Sequence, residues 1–231
     1  MNSWNIDINN NQRESSKNDF DAYDWYIKFE LNYFLFMLFT EGIENGKIDF
    51  NTFTSYLHEK TWLGQTFKGR IGGGNVRQYT WLSLIAPSIK NYFIQTQLIV
   101  DNRGKKYNYI LCVDSLAMKF EGLLRDFADL IGCETIIYSK RLKGTIEMYI
   151  EEILNLEKIK EYFNETDRTM FSYIFTKNGM DLRNNIVHSF LRFPDYGIYA
   201  NAFVIANYSQ VGKVSSKNKM RKLSWNWLII F

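Results

Sequence analysis

The feature that most constrains the fold is a long stripe of apolar residues between Tyr107 and Leu130. Apolar side chains recur there at intervals of three and four residues, the spacing of one face of an α-helix. The stripe consists of Ile110, Val113, Leu116, Ala117, Phe120, Leu123, Leu124 and Phe127. Gly132 follows at the position of a C-terminal helix cap. The pattern predicts one long amphipathic helix that buries its apolar face.

Composition favours further helices around this one. The 231 residues include only 2 prolines, and 46% of them are hydrophobic, which is enough to fill one large core. Apolar periodicity predicts additional helices over residues 25–40, 50–59 and 76–94, and an antiparallel helical pair over 145–156 and 158–175. We therefore expect an all-α fold in a single domain.

The expected domain limits follow the same patterns. Residues 1–16 are polar and asparagine-rich, and we expect them to be flexible; residues 17–231 form the helical domain. Within it we expect N-terminal helices over 17–105, a core bundle over 106–210, and a basic loop with an apolar tail over 211–231. The tail alternates Trp225, Trp227, Ile229 and Phe231, which predicts a short strand or an extended segment packed on its own domain or on a partner subunit.

Charge and cysteine usage indicate a cytoplasmic protein. The net charge is only +3, so any contact with nucleic acid must be local. Cys112 and Cys133 lie in apolar stretches without metal-ligand spacing, as buried free thiols do. The N-terminus lacks the layout of a secretory signal, and the apolar run over 33–39 is far shorter than the roughly 20 residues of a membrane span. We expect no contact with a membrane.

A glycine cluster at Gly72, Gly73 and Gly74 precedes the helix predicted from residue 76. Glycines before a helix can form a phosphate-binding loop, but the Gly-Lys-Ser/Thr ending and the spaced glycines of the known nucleotide loops are missing. A flexible turn is the favoured interpretation.

The segment with the most chemical information runs from residue 178 to residue 191. Gly179 closes the preceding helix, and Asp181 is a natural N-cap for a new helix that extends to about Phe193. On that helix Asn184 and His188 are four residues apart and share a face, while Arg183 lies next to that face. We predict that Arg183 and His188 flank one small site.

These two residue types suit RNA cleavage by internal attack. The reaction needs a group that withdraws the 2′-OH proton, a group that stabilises the phosphate charge, and a proton for the departing 5′-oxygen. Histidine suits proton transfer near neutral pH, and the guanidinium of arginine binds phosphate through two hydrogen bonds. A second copy in a symmetric dimer, or a water, would supply the other proton transfer, and no metal or other cofactor is needed.

The sequence from Arg183 to His188, RNNIVH, resembles the R-x4-H signature of HEPN domains. The wider phrase GMDLRNNIVHSFL is similar to a stretch of the uncharacterised HEPN-like family DUF4209, and the segment 120–127 is similar to the arginine-containing helix of that family. The resemblance covers roughly the C-terminal half of the chain. It makes 106–210 a HEPN-like core, preceded by the additional N-terminal helices.

The resemblance implies an antiparallel helical bundle that dimerises along the motif helices, and a metal-independent endoribonuclease of a toxin or antiviral system. Arg183 and His188 would be catalytic, and Asn184 would support or orient them. The family usually has glycine after the histidine, where this chain has Ser189. In toxins silenced by a nucleotidyltransferase antitoxin, a tyrosine commonly sits two residues after the histidine. Phe190 stands there in this chain, so such a modification is not assumed.

Two further sets of residues are candidates for supporting roles. Glu121, Arg125 and Asp129 lie four apart on one helix face, where they form either a polar support for the motif helix or an ordinary surface ion-pair ladder. Basic residues near the C-terminus form either an RNA-contacting arm or a solvated loop. The members of the basic set proposed to bind RNA are Lys217, Lys219, Arg221 and Lys222.

Three classes of function fit these observations. The chain is an endoribonuclease, a catalytically inactive module that dimerises or binds RNA, or the toxin of a pair restrained by a separate antitoxin or regulatory protein. Catalysis requires Arg183 and His188 to be exposed in a common cleft, whereas a scaffold allows both to be buried and fully paired. The leading hypothesis is a homodimeric, metal-independent endoribonuclease.

Overall fold

The computed structural model of the chain describes residues 32–71, 75–101, 107–177, 179–193, 195–197 and 200. These residues are mostly helical, with two antiparallel hairpins. The helices are α1 (Asn32–Glu44), α2 (Phe50–Lys60), α3 (Trp81–Val100), α4 (Ile110–Leu130), α5 (Ile150–Leu154), α6 (Glu157–Tyr162), α7 (Glu165–Phe175) and α8 (Leu182–Val187). The strands are β1 (Thr66–Ile71), β2 (Asn75–Thr80), β3 (Ile136–Ser139) and β4 (Gly144–Glu147).

The predicted long helix is α4, and it lies at the centre of the core. Every residue of its apolar stripe from Val113 onward is buried, and α4 packs against α3, α5 and α8. Gly132 has a φ of +77°, and the N–H groups of Gly132 and Cys133 donate to the carbonyls of Asp129 and Ala128. These two bonds form the Schellman motif that ends many helices, so the predicted glycine cap is confirmed.

The N-terminal helices α1 and α2 pack on α3 through aromatic side chains. Phe39 of α1 meets the rings of Tyr92 and Phe93 edge to face, with centroids 5.4 and 6.1 Å apart. The helix predicted over 25–40 is observed from residue 32 and continues to Glu44; its first residues lie outside the described part of the chain. The helix predicted over 50–59 is α2.

The hairpin of β1 and β2 replaces the first turns of the helix predicted over 76–94. The two strands pair in register from Thr66 opposite Thr80 to Ile71 opposite Asn75, and α3 begins only at Trp81, after Thr80 caps it. Tyr79 lies opposite Phe67, and their rings stack with centroids 5.9 Å apart. Gly72 to Gly74 lie outside the described residues, but a strand follows them, so they do not lead directly into a helix.

The hairpin of β3 and β4 and the short helices after it replace the predicted helical pair. Residues 145–147 belong to β4, and the segment predicted as one helix over 158–175 is broken after Tyr162. Asn164 caps the new helix α7, because its side chain accepts a hydrogen bond from the Asp167 N–H at 2.8 Å. Exposed and partly buried side chains alternate along both strands, so the pattern repeats every two residues, as in a strand, and not every 3.6, as in a helix.

One continuous hydrophobic cluster connects the N-terminal helices, α4 and the motif helix α8. It includes Phe39, Trp62, Phe120, Phe171 and Leu182. None of the helices in the described ranges is long and apolar enough to span a bilayer. Residues 1–31 and 201–231, which contain the predicted flexible N-terminus, basic loop and apolar tail, lie outside the described residues.

Candidate functional site

The turn before α8 is set by a close approach of two backbone segments. A Cβ atom on Gly179 would lie 2.0 Å from the carbonyl oxygen of Tyr173, and the Met180 N–H donates to that same oxygen at 2.6 Å. Only glycine fits here, which explains why the sequence has glycine between α7 and α8. The turn fixes the direction in which the motif helix starts.

Asp181 is the N-cap residue of α8, as predicted, but it does not cap with its side chain. Its backbone is left-handed, with a φ of +44°, and its Oδ1 accepts a hydrogen bond from Asn184 Nδ2 at 2.8 Å. Asn185 Nδ2 donates to the Met180 carbonyl at 2.7 Å. The two asparagines after Arg183 therefore tie the first turn of α8 to the residues that precede it.

Helix α8 is shorter than predicted and ends at Val187 rather than near Phe193. Ser189 has a φ of +55°, and the N–H groups of Ser189 and Phe190 donate to the carbonyls of Ile186 and Asn185. This is again a Schellman motif, with serine in the left-handed position that usually holds glycine. His188 is thus the last residue before the chain leaves the helix.

Arg183 points toward α4, where it meets a buried carboxylate. Glu121 is only 5% exposed, and its Oε2 forms an ion pair with Arg183 Nη1. The other oxygen, Oε1, pairs with Nη2 of Arg125 one turn further along α4. One buried carboxylate therefore pairs with two guanidiniums, so it is not part of an ordinary surface ion-pair ladder.

Arg125 extends this network to the base of the β3–β4 hairpin. Its Nη1 lies 3.1 Å from Oε2 of Glu147, and its Nη2 donates to the Met148 carbonyl at 3.0 Å. Asp129, the third member of the predicted ladder, does not join; it is exposed and lies near Thr135. We call the linked residues Arg183, Glu121, Arg125 and Glu147 the charge network.

Sequence reasoning identified three of the four members of the charge network. It missed Glu147, because that residue was assigned to a helix, whereas it lies on the exposed face of β4. The alternation of Thr145, Ile146 and Glu147 is the signal that would have placed it there.

His188 is exposed, and none of its ring nitrogens forms a hydrogen bond with a described residue. Its ring stacks on Phe190, with centroids 5.6 Å apart and an interplanar angle of 27°. Arg183 remains 39% exposed in its side chain despite the ion pair. No hydrogen bond joins these two described side chains, so the structure brings Arg183 to Glu121 and leaves the imidazole open to solvent.

The remaining predicted site residues divide into two groups. Asn184 holds Asp181, and so supports the start of the helix rather than His188. The proposed RNA-binding residues Lys217, Lys219, Arg221 and Lys222 lie outside the described residues.

Within the described ranges, no three His, Cys, Asp or Glu side chains are grouped closely enough to hold a metal ion.

A second polar cluster on α4 is centred on Asp126 and anchors the first hairpin. Tyr79 Oη and Trp81 Nε1 both donate to Asp126 Oδ2, at 2.6 and 2.8 Å. Burial of the phenol, together with the hydrogen bond to Asp126, raises the pKa of Tyr79 to about 12. The tyrosine therefore stays protonated and acts as a hydrogen-bond donor.

Comparison of the chain with protein-family models, curated proteins and solved structures gives no significant match.

Proposed function

We propose that the chain is a metal-independent endoribonuclease of the HEPN type, in which Arg183 binds the reacting phosphate and His188 transfers protons. The observation that carries the proposal is the difference between the two side chains of the motif. Arg183 is fixed by its ion pair with Glu121 while part of its side chain stays exposed, and the ring nitrogens of His188 have no hydrogen-bond partner among the described residues. Cleavage by internal attack requires a fixed cation to bind the phosphate and an imidazole whose nitrogens are open for proton transfer.

In the proposed reaction the 2′-oxygen attacks the adjacent phosphorus, and the bond between phosphorus and the 5′-oxygen breaks. His188 accepts the 2′-OH proton, and the 5′-oxygen takes a proton from His188 of the partner subunit or from a water. The products are a 2′,3′-cyclic phosphate and a 5′-hydroxyl. Glu121 orients Arg183 toward the phosphate, and Arg125 keeps Glu121 in place.

Two features support a HEPN-type bundle that works as a homodimer. Ser189 has a left-handed backbone at the position where the resembling family usually has glycine, so the same helix ending fits both sequences. Val187, Phe190 and Phe193 are exposed apolar side chains around His188, and Phe190 is 66% exposed. Burying them against a second copy would bring two motif helices together.

A catalytically inactive scaffold or RNA-binding module is the second candidate. The observation that favours it is the ion pair of Arg183 with a buried carboxylate, because an arginine so engaged also joins α8 to α4 without any chemistry. In the nuclease proposal, by contrast, the chain acts on cytoplasmic RNA as a toxin or antiviral effector and is restrained by an antitoxin or another regulatory protein. Host toxicity that depends on His188 separates the two candidates.

The direct experiment is the cleavage of a mixed RNA pool in excess EDTA by the wild type, His188→Ala and His58→Ala. The chain has only 2 histidines, and His58 is exposed on α2, so it is a matched control for loss of an imidazole. The proposal expects cleavage by the wild type and by His58→Ala, and none by His188→Ala. Equal cleavage by all three proteins would assign the activity to a contaminant.

A further inference from the structure

The β3–β4 hairpin presents one face to solvent. Exposure alternates along both strands, and the outward side chains are Ile136 and Tyr138 on β3 and Thr145 and Glu147 on β4. In the strand register Tyr138 lies opposite Thr145, and Ile136 lies opposite Glu147. Tyr138 is 65% exposed, so the face carries an aromatic ring that no other part of the described fold covers.

The turn at the tip of this hairpin is strongly basic. Lys140, Arg141 and Lys143 fall within four residues, and all three are exposed. None of them forms an ion pair with another described residue, whereas the net charge of the whole chain is only +3. The turn is held in shape by a hydrogen bond from the Leu142 N–H to the Ser139 hydroxyl, at 3.3 Å. The cations are therefore grouped and free to meet an anionic partner.

The exposed face of the hairpin is physically continuous with the candidate site. Glu147, at the base of that face, contacts Arg125, which binds Glu121, which in turn binds Arg183. The tip begins at Gly144, three residues from Glu147, or about 10 Å along the strand. A strand of RNA bound from the basic tip along this face would contact Tyr138 and lead toward the charge network.

We propose that the β3–β4 hairpin is a binding surface for single-stranded RNA that delivers the strand to Arg183 and His188. Cations that contact phosphates and an exposed ring on which a base stacks are the two elements of sequence-independent single-strand binding. The surface fits a single strand rather than a duplex, since a base can stack on Tyr138 only when it is not stacked in a helix. This inference rests on the proposed function, but the binding can be measured without cleavage.

The test measures the anisotropy of a fluorescent uridine oligomer in EDTA, with every protein in the His188→Ala background so that the RNA stays intact. The first variant replaces Lys140, Arg141 and Lys143 with alanine. Its matched control replaces three exposed lysines on the N-terminal side, Lys47, Lys60 and Lys90, and so changes the net charge equally. The second variant is Tyr138→Ala, with Tyr138→Phe retaining the ring and Tyr149→Ala removing a different exposed tyrosine.

The hairpin variant is expected to reduce the steepness of the slope of log K against log salt by about 2, since each phosphate contact to a single strand contributes about 0.7 to that slope. Tyr138→Ala is expected to weaken binding roughly 10-fold, and Tyr138→Phe to restore it, because the stacking surface rather than the hydroxyl is used. Hairpin variants that bind the oligomer as their matched controls do would overturn the inference. The inference would also be overturned if the protein did not bind the oligomer but bound anionic phosphatidylserine vesicles in a way that depends on Tyr138.

Failure of this inference and failure of the proposed function give different results. If the hairpin substitutions weaken binding but the wild type does not cleave RNA, the binding surface is upheld and the nuclease is rejected. Cleavage by the wild type at a rate that the hairpin substitutions leave unchanged upholds the nuclease and rejects the binding surface.

Discussion

Glu121 and Arg183 form an ion pair that joins the central helix α4 to the motif helix α8, with the carboxylate buried and the guanidinium partly exposed. A charge buried in this way is tolerated only when it is fully paired, and Glu121 is paired on both of its oxygens. The catalytic proposal and the scaffold alternative both use this contact, but the exposed part of Arg183 has a role only if the protein binds RNA.

Glu121→Gln is expected to destabilise the protein. Removing the charge leaves Arg183 without its counter-ion and leaves Arg125 with only the exposed carboxylate of Glu147, and breaking such a buried pair costs about 3 kcal/mol. Glu147→Gln is the matched control: Glu147 is 65% exposed, so its pair with Arg125 contributes less than about 1 kcal/mol. Urea unfolding measures both variants, and equal effects would show that the burial of Glu121 has no energetic consequence.

Ser189→Gly is expected to stabilise the protein by about 1 kcal/mol, because a left-handed backbone strains any residue with a Cβ and glycine relieves the strain. Ser189→Ala keeps the Cβ and is expected to bring no such gain. The two midpoints of thermal or urea unfolding give the comparison. A glycine variant no more stable than the alanine variant would mean that the helix does not end in this conformation.

Phe190→Asp is expected to convert a dimer to a monomer, since it places a charge among the exposed apolar side chains around His188. The control is Val76→Asp, which adds the same charge at an exposed apolar position on β2. Light scattering at micromolar concentration reports the mass of each protein. A wild type that is monomeric under these conditions would contradict the proposed homodimer.

Cys112 is expected not to react with a thiol reagent while the protein is folded. Burial raises the pKa of its thiol to about 12, so almost no reactive thiolate exists near pH 8. Cys133 is only partly buried, and its pKa is also raised by burial, so any native labelling should be slow and confined to it. Cys133→Ser should therefore abolish native labelling, while urea should expose Cys112. Rapid labelling of folded Cys133→Ser would show that the core around α4 opens.

The sequence predicted those parts of the fold that depend on one continuous pattern. The stripe of α4 is long enough that only a helix fits it, and Gly132 marked its end. The first hairpin was missed because Val76 and Tyr79 are three residues apart, a spacing that also suits a helix. The segment forms a strand because Tyr79 pairs with Phe67, and that contact between separate segments is not visible in the local pattern.

The candidate site was predictable to a similar extent. Glu121 and Arg125 are four apart on one helix, so their pairing could be foreseen. The contact of Glu121 with Arg183 depends on how α8 packs against α4, which no local pattern encodes. The end of α8 at Val187 depends on Ser189 adopting a conformation that serine rarely takes, so the helix was predicted too long.

The most direct test of the nuclease proposal uses a DNA oligomer that contains a single ribonucleotide, incubated in excess EDTA with the wild type and with His188→Ala. The single 2′-OH fixes the only place where internal attack can occur. The wild type is expected to cut there and leave a 2′,3′-cyclic phosphate, and His188→Ala to be slower by about 100-fold or more. Cleavage at other positions, or an unchanged rate in His188→Ala, would contradict the assignment of proton transfer to His188.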